Sequence, residues 1–98
     1  MSHDERVITR NDAAGRFEVT VEGHLAELTF RRDDNRLILE HTGVPEAIGH
    51  HGIAAELAEA AFRFAEDENL SVVPRCPYVR AWLDKHPEQA HIVTIEPL

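Results

Sequence analysis

Alternation begins at Phe17. Phe17, Val19 and Val21 are apolar while Arg16, Glu18, Thr20 and Glu22 are polar, the two-residue period of a half-buried strand. A second alternating run sets Ala26, Leu28 and Phe30 against Glu27, Thr29 and Arg31. Glu22-Gly23-His24 separates the two runs as a short turn, and Asp33-Asp34-Asn35 ends the second with residues that tolerate left-handed backbone angles. Leu37-Ile38-Leu39 opens a third strand that runs towards Val44 and is closed by Pro45. Connections this short predict an antiparallel meander. Residues 1–15 show no sustained period, although Val7 and Ile8 suit a strand extension, and Asn11-Asp12-Ala13-Ala14-Gly15 reads as a turn. We therefore expect a polar, partly ordered N-terminal segment over residues 1–15 and one domain over 16–98.

After Pro45 the period changes. Ile53, Leu57, Ala61, Phe64 and Ala65 fall on one face of a helix from about His51 to Glu68, with Glu56, Glu59, Arg63, Glu66 and Asp67 mostly on the other. Asn69 suits the position just past its end. Leu70-Ser71-Val72-Val73-Pro74 then reads as a buried strand, so strand, helix and strand form a βαβ crossover with parallel strands. Pro77 sits where a first helical turn tolerates proline. Tyr78, Val79, Ala81, Trp82 and Leu83 continue a shorter helix, His86-Pro87 stops it, and Ile92, Val93 and Ile95 suit a final strand. Phe64 and Trp82 are expected in the core. The predicted class is α/β (α+β): a mixed, largely antiparallel sheet with one crossover, one long helix and one short helix.

Composition narrows the function. A chain of 98 residues fits one core. Its net charge of −8 comes without a Lys/Arg cluster, which argues against a nucleic-acid partner. No apolar run nears the ~20 residues that span a bilayer, and the N-terminus is too polar for a secretory signal. A cytoplasmic location with no membrane partner follows as an expectation. The lone cysteine, Cys76, excludes a disulfide framework and a cysteine-rich zinc site. Adjacent His50 and His51 diverge rather than chelate, no HExxH pattern occurs, and no metal is expected. His3, His24, His86 and His91 suit surface or capping positions. No feature of the sequence specifies an oligomeric state.

Gly49-His50-His51-Gly52-Ile53-Ala54 stands between the third strand and the long helix. The first N–H groups of a helix lack partners within it, and its dipole makes that end positive. A glycine there lets a phosphate approach the backbone. The two glycines equally suit a tight strand-to-helix turn with no ligand.

Four stretches, in this order, resemble the small single-domain branch of the GCN5-related N-acetyltransferase superfamily. They are Ala26-Glu27-Leu28-Thr29-Phe30, His41-Thr42-Gly43-Val44-Pro45, Gly52-Ile53-Ala54 with its helix, and Val72-Val73-Pro74-Arg75-Cys76-Pro77-Tyr78-Val79. The last, followed by His86-Pro87-Glu88, is similar to the branch's Cys-Pro-Tyr/Phe-Val and His-Pro-Glu pattern and is the most specific of the four. The wider superfamily's pyrophosphate loop reads Arg/Gln-x-x-Gly-x-Gly/Ala; here Gly52 and Ala54 match, while Gly49 replaces the Arg or Gln. Gly43 stands where the branch often has Glu.

The resemblance implies a compact fold that binds acetyl-CoA (coenzyme A) in a V-shaped opening between the third strand and the next. Val44 would line the pantetheine, the backbone of Gly49, His50, His51, Gly52, Ile53 and Ala54 would hold the pyrophosphate, and Cys76 and Tyr78 would lie near the thioester. The acceptor would be a small-molecule or protein amine. Cys76, at the positive end of a helix that favours a nucleophilic thiol, would take the acetyl group covalently. The alternative chemistry is direct attack by the amine, with His41 as the base, since histidine accepts protons near neutral pH. A non-catalytic coenzyme A-binding or regulatory module is the rival function, favoured by Gly43 and Gly49.

Overall fold

The computed structural model describes residues 7–49 and 52–97. Five strands form one sheet in chain order: β1 (Thr9–Asn11), β2 (Arg16–Val21), β3 (His24–Asp33), β4 (Arg36–Gly43) and β5 (Ser71–Pro74). The first four pair antiparallel, and β5 pairs parallel to β4 after a crossover through α1 (Ile53–Asp67). Helix α2 (Pro77–Lys85) follows β5 with Pro77 in its first turn. The mixed sheet, the crossover and the unequal helices match the expected class. No helix among the described residues is long and apolar enough to cross a membrane.

Local chemistry explains the tight corners. Glu22 and Gly23 both take positive φ, 53° and 79°, as a two-residue hairpin whose twist matches its strands requires. Asp34 (φ 59°) does the same at the next hairpin, which an Asp33–Arg36 ion pair of 2.6 Å closes. Asn69 ends α1's last turn at φ 56°, one of the few residue types other than glycine that tolerates this region.

One face of the sheet is covered. Phe17, Val19, Ala26, Leu28, Leu37, Leu39 and Val72 meet Ile53, Leu57, Ala58, Ala61, Phe62 and Ala65 of α1 and Val79 and Trp82 of α2 in a single core. The two helices touch through Phe62 and Trp82, whose rings are 5.2 Å apart. The buried stripe of α1 thus runs through Phe62. Phe64 is only half-buried, at the edge of the stripe, packed edge-on against Phe17 at 5.9 Å with the Arg10 guanidinium 4.2 Å above its ring. Trp82 is in the core as expected.

Two elements differ from the expectation. Residues 9–11 add an edge strand that no periodicity announced, because only three residues pair and none of them is buried. The C-terminal strand is absent among the described residues. Pro87–His91 forms a 3₁₀ turn instead, Ile92 is exposed, and only Ile95 bridges to Val72. Two backbone bonds of 2.8 Å, from Val72 N–H to Thr94 O and from Glu96 N–H to Val72 O, hold that single bridge.

Candidate functional site

The distinctive feature of the sheet is that β4 and β5 part. They pair from Arg36↔Ser71 to Leu39↔Pro74 and no further. Two local causes coincide there. On the β3 side, Thr29 pairs with His41 but Phe30 pairs with Leu39, so Glu40 is an extra, bulged residue, and a bulge bends its strand. On the β5 side the chain turns out of the sheet after Pro74: the Arg75 N–H folds back to Val73 O at 3.0 Å and so is not available to β4. The Cys76 N–H caps Leu39 O at 2.9 Å, and the chain turns into α2. Glu40–Gly43 therefore continues beside β3 with its other edge free of any strand among the described residues.

The turn expected to hold pyrophosphate leads from this splayed strand into α1. Residues Glu46–Ile48 form one 3₁₀ turn, with Ile48 N–H bonded to Pro45 O at 3.0 Å and Gly49 N–H to Glu46 O at 3.1 Å. Ile48 is fully buried and pins the loop to the core; as the one large apolar residue between Val44 and Ile53, it carried a signal that periodicity alone passed over. Gly52 is the N-terminal cap of α1 at φ 71°, ψ 21°, with no side-chain cap. The first helical bond runs from Glu56 N–H to Gly52 O at 3.3 Å, so the N–H groups ahead of Glu56 in this turn have no partner within the helix. Among the described residues, a Cβ on Gly52 would meet nothing within 4 Å. Gly52 is needed for its backbone angle, and no described residue fills the space in front of it. Gly49 is different: its φ is −68°, and a Cβ there would sit at ordinary contact distance, 3.5 Å, from Glu46 O. Ile53 is buried, Ala54 half-buried, and Val44 half-buried against the core. His50 and His51 lie outside the described residues.

The two residues expected to carry chemistry lie on opposite faces of β4. Cys76 is 2% exposed within the core, and its Sγ is 3.1 Å from Thr42 Oγ1, a contact that sequence spacing did not reveal. Thr42 pairs with buried Leu28, whereas His41 pairs with Thr29 and is exposed on the other side. Tyr78, in the first turn of α2, is 37% exposed; partial burial, then the charge of Cys76, raise its pKa above the usual value of 10.0. Beside His41, on the uncovered face, Gly43 pairs with Glu27. Arg16 bridges Glu18 and Glu27 there, and the two carboxylates, Glu18 first, raise the guanidinium's pKa. No three His, Cys, Asp or Glu side chains among the described residues converge to hold a metal. An open groove of about 670 Å³ lies at the other end of β3, lined by Arg10, Arg31, Arg32, Phe30 and Phe64. Its guanidiniums are already matched by carboxylates, Arg10 to Asp12 and Arg31 to Glu40 at 2.8 Å and Arg32 to Glu68 at 3.6 Å.

A family model described as GCN5-related N-acetyl-transferase matches residues 16–92. The chain belongs to the GCN5-related N-acetyltransferase family. The solution structure of a GCN5-like protein from Staphylococcus aureus superimposes with a TM-score of 0.71 at 25% identity, covering 92% of this chain and 89% of that one. Among curated relatives, Protein NATD1 of Xenopus tropicalis and of Homo sapiens are each 34% identical over 59 residues. That match covers 60% of this chain and 54% and 52% of theirs, so the chain spans about half the length of the curated relatives it matches. Protein NATD1 of Danio rerio is 35% identical over 57 residues.

Proposed function

We propose that this chain binds acetyl-CoA where β4 leaves β5 and transfers the acetyl group directly to an amine. The observation that carries the reading is the splay itself. A bulge on β4 and a turn of the chain after Pro74 end the ladder at one point. The turn after β4 leads to a helix N-terminus with no side-chain cap at Gly52 and with no described residue filling the space a Cβ there would take. The free edge of Glu40–Gly43 and Val44 would take the pantetheine as an added strand, using backbone hydrogen bonds. The N–H groups of the first turn of α1 would take the pyrophosphate, helped by the helix dipole. Gly49 contributes no side chain, so the backbone supplies this grip.

Direct transfer is preferred over an acetyl-cysteine intermediate because of where Cys76 sits. Its sulfur is buried, engaged with Thr42, and on the covered face, the surroundings of a small packing residue. The acceptor is a primary amine on a small molecule or protein, approaching from the uncovered face.

Thermal unfolding with and without acetyl-CoA, followed by assay of coenzyme A release over an amine panel, tests the proposal. Ligand at about 100 times its dissociation constant should stabilise the fold by about 2.7 kcal/mol. Absence of any shift at millimolar acetyl-CoA would refute binding. Binding without turnover across the panel would mark the chain as a coenzyme A-binding module.

A further inference from the structure

Resting on the acetyl-transfer reading above, we propose that Glu27 is the proton acceptor of the reaction, with His41 on the other side of a hollow above Gly43 where the amine nitrogen sits. Glu27 and Gly43 are direct cross-strand partners on β3 and β4, and His41 lies two residues before Gly43 on the same uncovered face. Such positions bring side chains within reach of one another. Gly43 puts no side chain over its own Cα, and two neighbours turn towards the place a Cβ would take. A Cβ placed there would be 3.4 Å from His41 Nε2 and 3.8 Å from Glu27 Oε2.

Glu27 is held for this task through one oxygen. Arg16 Nη1 binds its Oε1 at 3.2 Å, leaving Oε2 directed at the hollow. An anchored carboxylate with one oxygen presented has little orientation left to lose when a substrate arrives. The position also fits the cofactor path: Gly43 lies on the part of β4 that β5 has left, so a thioester lying along the free edge would pass beside the hollow.

The step balances with these groups. The amine enters as an ammonium, and Glu27 Oε2 takes one proton, freeing the nitrogen lone pair. Nitrogen attacks the thioester carbon, the C–N bond forms and the C–S bond breaks. The leaving sulfur departs with the bond pair and accepts nitrogen's second proton, giving coenzyme A thiol and an amide. Glu27 then returns its proton to water. His41, facing the same nitrogen, orients it by a hydrogen bond.

The test uses the full chain, acetyl-CoA, and three amine probes: n-butylamine, spermidine and a lysine-containing peptide. Calorimetric binding of acetyl-CoA is measured separately from coenzyme A release. Glu27→Gln should lower kcat by about 100-fold or more while acetyl-CoA affinity stays within about twofold and the fold remains intact. Gly43→Glu placed in the Glu27→Gln background should restore about tenfold or more, because the new side chain starts 3.8 Å from the present carboxylate oxygen. A residue that only stiffened the sheet would not be rescued from the opposite strand. The inference is overturned if Glu27→Gln keeps kcat within threefold of wild type, if the double variant is no faster than the single one, or if the wild-type chain binds acetyl-CoA yet acetylates none of the three probes. Failure of the wild-type chain to bind acetyl-CoA would instead strike at the function proposed above.

Discussion

Gly52→Ala separates the cost of a backbone angle from the cost of blocking a ligand. Gly52 holds φ 71°, ψ 21°, a region that costs an L-residue about 1–2 kcal/mol. Alanine also restricts the unfolded chain, which returns about 0.4–1 kcal/mol. No steric cost is added by the described residues, none of which lies within 4 Å of the new Cβ. The net loss without ligand should be about 1 kcal/mol, or about 4–8 °C in Tm for a chain of this size. Gly52→Asn should lose less, because asparagine tolerates the left-handed region. Acetyl-CoA should sense the two variants alike, as both place a Cβ in the space proposed for the pyrophosphate. We expect the Kd to rise about tenfold or more, a further 1.4 kcal/mol. Urea unfolding gives the first quantity and calorimetric titration the second. A loss above about 3 kcal/mol without ligand would show that the Cβ meets other atoms. Unchanged acetyl-CoA affinity in Gly52→Ala would place the pyrophosphate elsewhere.

Gly49→Arg should be tolerated, since φ is −68° and the nearest contact of a Cβ is 3.5 Å; by adding a charged donor it should tighten acetyl-CoA binding by about 1 kcal/mol, read by the same titration. Cys76→Ala should cost about 1–2 kcal/mol, at the low end for a truncated core residue, yet retain turnover within several-fold, and the wild-type chain incubated with acetyl-CoA should show no acetyl adduct by intact mass; abolished turnover in a folded variant would restore the covalent route. Tyr78 is the only tyrosine of the chain, so its ultraviolet titration reads one group and should have a midpoint above 10.0. Because the folded value is raised, the stabilisation is complete below pH 10 and is lost as pH climbs through the folded midpoint; a midpoint at or below 10 would refute the partial desolvation of that ring.

The parts of the fold written in side-chain periodicity were legible. Phe17–Val21 and Ala26–Phe30 alternate, and both lie where alternation placed them. The crossover followed from the change of period after Pro45. What escaped was structure made by backbone pairing. The strand Thr9–Asn11 buries no side chain, and the strand expected over Ile92, Val93 and Ile95 proves to be a one-residue bridge at Ile95. Phe62 and Phe64 are two positions apart on one helix, and α2 decides which is buried by placing Trp82 against Phe62. At the site, Gly52 was legible as a helix cap because its angle is local. The bulge at Glu40 was not, since a bulge is a relation between strands. For the same reason neither the Glu27–Gly43 register nor the separation of His41 from Cys76 could be read from spacing along the chain.

The parting of β4 from β5 has a consequence for how this protein tolerates change. The outer edges of the sheet are modest: a three-residue β1 on one side, and β5 covered by the Thr94–Glu96 bonds on the other. The strand row most open to new partners is therefore internal, along Glu40–Gly43. Substitutions that straighten the bulge at Glu40 would let the strands zip further and raise the melting temperature. The same substitutions would shut the gap. Selection for heat resistance alone should thus yield sturdier variants in which the proposed acetyl-CoA gap is closed, an opposition of stability and function concentrated at the bulged residue Glu40.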